Sequence, residues 1–295
     1  MMNDLKNSLF IMQPQMFAHI NELSQQFAAI YCGRTIVKYN IFAIIENYAR
    51  KNEVSLEVLR YPVNDDDLYA MGFIKGGTIF LYVNTKLPLC KQFYAAAHEL
   101  YHIYQYVEDC KAECLNFGND DEVNHEAKRY LTKGSILDAD TANGISNVKE
   151  DLYANAFARL LLMPDDYIFT ELRVFGIDKE NIDVDKVLML LSIFAIPCKD
   201  IVLRLYECSF ITQGQAEKLL CVASKDINKR VELTGNGKCW LLDGKGTESF
   251  GSLLEKFYYN AEHDFLTESR KTEDFKYIDD LKNELAMKEE APFES

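Results

Sequence analysis

The chain has 295 residues, of which 48% are hydrophobic and 26% charged, with 14 glycines and 6 prolines. This composition excludes fibrous and disordered proteins and leaves a globular protein that can bury a sizeable core. The net charge of -14 disfavours direct nucleic-acid binding, because the surface field repels phosphate, and favours a basic partner such as a DNA-binding protein.

The N-terminal stretch lacks a sustained apolar core followed by a small-residue cleavage site, so we expect no secretory signal. The longest apolar stretch, 187–198, is shorter than the ~20 residues that cross a bilayer. We therefore expect a cytoplasmic protein that does not bind membranes and whose 8 cysteines are free thiols. Cys110 and Cys114, with His125 nearby, are interpreted as ordinary helix residues rather than as a second metal site.

Residues 1–50 predict two helices, the second from about Ile36 to Lys51, because apolar residues recur there at helical spacing. The next segment, SLEVLRYP, alternates as a strand does. Two β-rich runs, YAMGFI and TIFLYV, then flank residues 75–77, whose two glycines predict a hairpin turn. We expect a small antiparallel sheet of three strands.

Residues 90–110 contain neither glycine nor proline and predict a long helix. A second apolar helix is predicted from about Lys149 to Met163, where Pro164 stops it. The polar stretch 109–148 between them predicts an insertion that carries one helix around His125 to Leu131. Further helices are predicted near 165–175, 183–194, 198–208 and 213–224.

The C-terminal part carries two weaker patterns. Residues 234–237, TGNG, lie between RVEL and KCWLL and predict a late hairpin. From about Thr267 the chain is rich in charge, and Phe275, Ile278, Leu281 and Leu285 mark an amphipathic last helix. The whole pattern predicts an α+β fold that is mostly helical, with the sheet beside the helix of residues 90–110 and a trailing helical subdomain.

The long helix carries His98-Glu99-Leu100-Tyr101-His102, an HExxH pattern. Residues four apart lie about 40° apart around a helix, so His98 and His102 project from one face and can share an ion. Glu99 is the next residue along and can reach water at that ion without binding the ion itself. The pattern predicts a zinc site (Zn²⁺) with Glu99 as the general base.

A catalytic zinc site has three protein ligands and one open position. The string EDLYANAFARLLLMP, at the start of the second helix, offers Glu150 and Asp151, and Asn155 lies one turn after Asp151. This spacing allows Asp151 to bind the ion while Asn155 holds the other nitrogen of a ligand histidine. Two acids at a helix N-terminus are also typical of a favourable interaction with the helix dipole alone.

The strings HELYH and YANAFARLLLMP, with MGFIKGGTIFLYVN upstream, resemble the ImmA/IrrE family of gluzincin-like metallopeptidases. The resemblance covers about residues 35–215 and implies that His98 and His102 bind zinc. The family usually has glutamate as third ligand three residues before the alanine of A-N-x-F-A, and here that residue is Asp151. Because aspartate is shorter, either the second helix lies closer or Glu150 binds instead; helical spacing favours Asp151.

The sequence patterns and the resemblance together predict three regions: a zincin-like catalytic domain in 1–175 with the insertion at about 109–148, a helical subdomain in 176–225, and a C-terminal hairpin and helix of unknown role in 226–295, which the resemblance does not cover. The resemblance also implies a zinc endopeptidase that cleaves a protein substrate, such as a transcriptional repressor or an antitoxin-like regulator, by Glu99-assisted attack of zinc-bound water. The alternative is a non-catalytic zinc protein that binds or senses a basic regulator and sequesters it.

Four further side chains, aromatic or imidazole, are candidates for stabilising the reaction intermediate. Tyr101 either lines the cleft and donates to an oxyanion or packs between helices, and packing is the commoner role of such a residue. Tyr104, Tyr106 and His125 are further candidates for stabilising the tetrahedral intermediate.

Overall fold

A computed structural model describes residues 3–6, 8–33, 36–75, 77–116, 147–244, 248–263 and 265–276. The chain forms two compact units, Met1–Ser249 and Phe250–Ser295. The α-helices are α1 Asn3–Lys6, α2 Leu9–Met12, α3 Pro14–Phe27, α4 Ile41–Lys51, α5 Leu89–Asn116, α6 Asn147–Leu162, α7 Asp165–Val174, α8 Val184–Phe194, α9 Cys198–Glu207, α10 Gln213–Leu220, α11 Ser224–Thr234 and α12 Leu253–Glu262. The strands are β1 Leu56–Tyr61, β2 Ala70–Lys75 and β3 Thr78–Asn84. Short π- and 3₁₀-helical segments are Ala28–Cys32, Lys38–Asn40 and Lys238–Trp240.

The predicted fold class is confirmed: the protein is α+β and mostly helical, with one three-stranded sheet among the described residues. The long helix α5 packs against α6 on one side and against β2 and β3 on another. Its buried alanines Ala95, Ala96 and Ala97 leave room for such close neighbours, since a methyl group projects little from the helix surface. The two predicted motif helices are therefore neighbours in the core.

The sheet is mixed, so the prediction of a purely antiparallel sheet is wrong. The strand order is β1-β3-β2, with β2 antiparallel to β3 and β1 parallel to it. The predicted hairpin is confirmed: Lys75 pairs with Thr78, and Gly77 has a φ of 78°, which favours glycine. The sequence pattern identified the three strands but not the side of β3 on which β1 lies.

The buried side chain of Asn84 holds the connection that crosses from β1 to the far edge of β3. Its Oδ1 accepts a hydrogen bond from the backbone N–H of Val63 at 3.0 Å, and its Nδ2 donates to the carbonyls of Val63 and Leu68 at 3.0 Å. The hydrogen bonds of this one side-chain amide thus satisfy backbone groups of the connection that are not paired in a strand. β3 lies between β1 and β2 and pairs with both, so those two strands do not pair with each other.

The predicted late hairpin at 234–237 is also wrong. Residues 224–234 form α11 instead, and Gly235 ends that helix with a φ of 70°. Gly237 also has a φ of 70°, and its N–H donates to Ser192 Oγ at 2.6 Å. Two glycines that permit positive φ suit a helix C-cap as well as a hairpin turn, so the local pattern could not separate the two.

The residues of the predicted helical subdomain, 176–225, lie within the first compact unit. Buried ion pairs join α9 to α6: Arg159 Nη2 lies 2.9 Å from Glu207 Oε1, and its Nη1 lies 3.5 Å from Asp200 Oδ1. Arg204 adds contacts to Glu207 and to Asp165. These opposite charges offset one another's desolvation, as buried charges require.

Several predictions fall partly on residues outside the description. Helix α5 continues to Asn116 and α6 begins at Asn147, so most of the predicted insertion at 109–148, with its helix at His125 to Leu131, lies outside the described residues. In the second unit, residues 268–276 are helical, and Phe275 packs edge-on against Phe257 of α12 with ring centroids 4.8 Å apart. Ile278, Leu281 and Leu285 of the predicted last helix lie outside the described residues.

None of the helices in the described ranges combines the length and the apolar character that a membrane crossing requires. The cysteines whose side chains are described are all free thiols.

Candidate metal centre

Helix α5 places the two imidazoles of the HExxH pattern side by side. His98 Nε2 and His102 Nε2 lie 3.2 Å apart, because residues separated by four positions lie on the same face. The side chain of His98 is 18% exposed and that of His102 is 7% exposed. The pair is thus held by the core on one side and is open to the groove between α5 and α6 on the other.

Helix α6 brings Asp151 to the same point. Its Oδ1 lies 3.7 Å from His98 Nε2 and 3.6 Å from His102 Nε2. Burial alone would raise the pKa of Asp151, but the two neighbouring histidines lower it well below its usual range. Asp151 is therefore an ionised carboxylate. The neighbouring Glu150 is exposed and does not belong to this group.

The three atoms form a triangle that fits one metal ion. With sides of 3.2, 3.6 and 3.7 Å, a point equidistant from the three atoms lies about 2.0 Å from each, which is a metal-ligand bond length. Among the described residues, His98, His102 and Asp151 are the group that could hold a metal ion. A zinc site usually has four ligands, so three protein ligands leave one coordination position for water or substrate.

Asn155, one turn after Asp151, fixes the orientation of His98. Its Oδ1 lies 3.0 Å from His98 Nδ1 and can only accept, so His98 donates from Nδ1 and keeps a lone pair on Nε2. Tyr94 O–H donates to the same Oδ1 and to the backbone carbonyl of Asn155, each at 3.2 Å. This arrangement presents to the ion the nitrogen that has to bind it.

Glu99 is a buried carboxylate beside the two histidines and does not belong to the three-residue group. It accepts a hydrogen bond from the backbone N–H of Gly72 in β2, while its Oε2 has no hydrogen-bond partner. Burial raises the pKa of Glu99 above its ordinary value, although the charges of His98 and His102 oppose that shift. An unpartnered buried oxygen with a raised pKa is suited to accept a proton.

The candidate aromatic side chains mostly pack in the core. Tyr101 is buried, and its ring lies 5.5 Å from that of Phe157 and 5.8 Å from that of His102. Tyr104 packs against Tyr48 with ring centroids 6.0 Å apart. Tyr106 is partly buried against the core. His125 lies outside the described residues.

Three contributors were not singled out in the sequence. The backbone of Gly72 reaches Glu99 only because β2 lies along α5. Tyr94 lies four residues before His98 on α5, and Arg159 lies four residues after Asn155 on α6. Each therefore lies one turn further along the helix face that carries the residues of the metal centre. Arg159 Nη1 lies 3.4 Å from Tyr94 O–H. An arginine inside the apolar string AFARLLL was the available signal for this buried network.

Comparison with known proteins adds no relative: no protein-family model matches the chain, and no curated protein matches it. The chemistry of the centre is therefore argued from its geometry.

Proposed function

We propose that this protein is a zinc-dependent endopeptidase that cleaves a protein substrate. The observation that carries the proposal is the convergence of His98, His102 and Asp151 on one point, with the unpartnered carboxylate of Glu99 beside it. Two imidazoles, one carboxylate and an open position are the ligand set of catalytic zinc, and the distance of about 2.0 Å matches zinc-nitrogen and zinc-oxygen bonds. A structural zinc site would be closed by a fourth protein ligand.

The chemistry that zinc supplies when bound is Lewis acidity, which acidifies water and polarises a carbonyl. Glu99 then serves as the proton carrier. It takes a proton from the attacking water while the oxygen of that water forms a bond to the scissile carbonyl carbon. When the carbon-nitrogen bond breaks, Glu99 returns the proton to the leaving amine. Burial raises the pKa of Glu99, which favours its holding the proton between the two transfers.

The position of β2 supports a peptide as the substrate. β2 is at the edge of the described sheet, and its Gly72 contacts Glu99. An extended peptide can add to a sheet edge through backbone hydrogen bonds, whatever its sequence. A peptide bound along β2 would bring its backbone carbonyls past the side chain that has to act on them.

The substrate we propose is a basic DNA-binding regulator, such as a transcriptional repressor or an antitoxin-like protein. The net charge of -14 favours a basic partner over nucleic acid itself. The resemblance to the ImmA/IrrE family points to the same class of substrate.

The test compares Glu99→Gln with the parent protein, both loaded with zinc, against basic DNA-binding proteins encoded in neighbouring genes. We expect the parent to produce fragments and Glu99→Gln to keep one zinc ion but produce none. The matched control is Glu108→Gln, which removes a carboxylate from the same helix, where Glu108 pairs with Lys111 at 2.7 Å. It should cleave at the parent rate.

Fragments formed by Glu99→Gln at the parent rate would contradict the proposal. Stoichiometric binding of the regulator that survives Glu99→Gln, with no fragments at any time from the parent, would instead favour the sequestering alternative.

A further inference from the structure

A cavity of about 410 Å³ lies in the groove between α5 and α6, beside the metal centre. Tyr94 and Asn155 line it, and Asn155 also binds His98. Arg159 lines it one turn further along α6. Because four residues of helix rise about 6 Å, the cavity begins about one turn from the metal ligands.

The wall of this cavity carries more positive than negative charge, although the protein as a whole is acidic. Lys91, Lys199 and Arg159 line it together with one acid, Asp200. Asp200 is already 3.5 Å from Arg159 Nη1. Lys91 Nζ lies 3.1 Å from the neutral hydroxyl of Tyr69, and no carboxylate of the described residues pairs with it. Arg159 is also paired with the buried Glu207 at 2.9 Å, so three cations stand against two acids. This local excess of positive charge in a protein of net charge -14 favours an anionic ligand.

A second observation points to the same ligand. Ser8 lines the cavity, is 4% exposed, and its Oγ has no hydrogen-bond partner. A buried hydroxyl is normally paired, because leaving it unpaired costs free energy. A carboxylate in the cavity offers only acceptors, which a hydroxyl that turns toward the cavity and the ammonium of Lys91 can both use.

The remaining wall suits a side chain rather than an ion alone. Leu152, Leu203 and Trp240 are apolar or aromatic. Trp240 is held there because the segment after it hydrogen-bonds back to the start of α5: Leu89 N–H donates to the Leu242 carbonyl at 2.8 Å. The cavity thus combines an apolar wall for methylene groups with donors for a carboxylate.

We propose that this cavity binds an acidic side chain, glutamate or aspartate, of the protein substrate, within about three residues of the cleaved bond. The inference rests on the proposed peptidase function. Tyr69, at the cavity, immediately precedes β2, and Gly72 of β2 contacts Glu99. An extended peptide advances about 3.3 Å per residue, so a chain lying along β2 spans that distance in about three residues.

The test uses Trp240, the one tryptophan of the chain, as a fluorescent reporter in the cavity wall. Full-length Glu99→Gln protein is titrated with the α-amides of N-acetylglutamate, N-acetylglutamine and N-acetyllysine. We expect the glutamate compound to change the emission saturably and to bind at least about tenfold more tightly than the glutamine compound, since charge-assisted hydrogen bonds are the stronger ones.

Two variants test whether the glutamate compound binds in this cavity. Lys91→Met should weaken binding of the glutamate compound about tenfold, and Ser8→Ala should weaken it by a few-fold. Lys218→Met is the matched control, because it removes the same charge from an exposed site on α10. It should leave the affinity unchanged.

Equal affinity for the glutamate and glutamine compounds, or no saturable change with either, would overturn the inference. Free glutarate that binds as tightly as the glutamate amide would also overturn it, because the site would then recognise a small acid rather than a peptide side chain. The titration requires no cleavage, so its failure is distinct from that of the peptidase. A chain that passes this test but never cuts a protein would refute the peptidase function and the placement relative to a cleaved bond, while the binding of an acidic side chain in the cavity would stand.

Discussion

Replacing Asn155 by leucine tests how the helix pair orients the metal ligands. The variant has a side chain of similar size but loses the Oδ1 atom that accepts the hydrogen bond from His98 Nδ1 at 3.0 Å. His98 is then free to rotate and to expose the wrong nitrogen. Tyr94 still has a partner, because its O–H also donates to the backbone carbonyl of residue 155 at 3.2 Å.

The expected loss follows from this single neutral hydrogen bond. Such a bond contributes about 1–1.5 kcal/mol, and 1.4 kcal/mol corresponds to a factor of about ten in affinity. Partners of metal-bound histidines usually change affinity by about 10- to 100-fold when they are removed. We expect Asn155→Leu to weaken zinc binding about 10- to 30-fold, measured by competition with a chromogenic chelator at fixed pH.

The matched control is Asn47→Leu on α4, where the lost amide accepts a hydrogen bond from Arg50 at 3.2 Å. It should bind zinc like the parent. If Asn155→Leu also bound zinc with the parent affinity while remaining folded by circular dichroism, the orienting role assigned to Asn155 would be incorrect.

Three further predictions concern stability, each measured by urea unfolding. Arg159→Met removes the partner of Glu207 at 2.9 Å and that of Asp200 at 3.5 Å, and leaves Glu207 only the longer contact with Arg204. It should lower the free energy of unfolding by about 3–5 kcal/mol. Leu100→Ala, at a fully buried position, should cost about 2–5 kcal/mol, whereas Val174→Ala at an exposed one should cost less than about 0.5 kcal/mol. Asp183→Ala removes the N-cap of α8 and should cost about 1 kcal/mol at neutral pH. Burial alone would raise the pKa of Asp183, but the hydrogen bonds it accepts lower it, so its contribution is present above the unfolded-state pKa of about 3.9 and is lost as the pH falls through the lower folded-state value. An Asp183→Ala difference that stays constant down to low pH would contradict this reasoning.

Local periodicity predicted the parts of the centre that depend on one helix. The spacing of His98 and His102, and that of Asp151 and Asn155, follow from 3.6 residues per turn. That the two helices pack against each other was an inference from the strings taken together and is observed in the fold. Helical spacing also favours Asp151 over Glu150 as the third ligand, because it places Asp151 on the same face as Asn155.

Contacts between residues that are distant in the sequence could not be predicted from local periodicity. Nothing local to Asn84 indicates that its amide holds the crossover that makes β1 parallel to β3. Gly235 permits both a hairpin turn and a helix cap, and only the packing of α11 decides between them. The buried contact of Arg159 with Glu207 joins residues 48 positions apart. One lies in the predicted catalytic domain and the other in the predicted helical subdomain. Each case depends on a partner that the sequence pattern does not identify.

The central claim is that His98, His102 and Asp151 hold one ion. The most direct measurement is the zinc content of purified, dialysed protein by plasma mass spectrometry, for the parent, Asp151→Ala and Glu150→Ala. Because Asp151 Oδ1 is 3.6–3.7 Å from both histidine nitrogens while Glu150 is exposed, we expect one zinc per chain in the parent and in Glu150→Ala. Asp151→Ala should retain little or none. Full zinc in Asp151→Ala, or its loss in Glu150→Ala, would contradict the account.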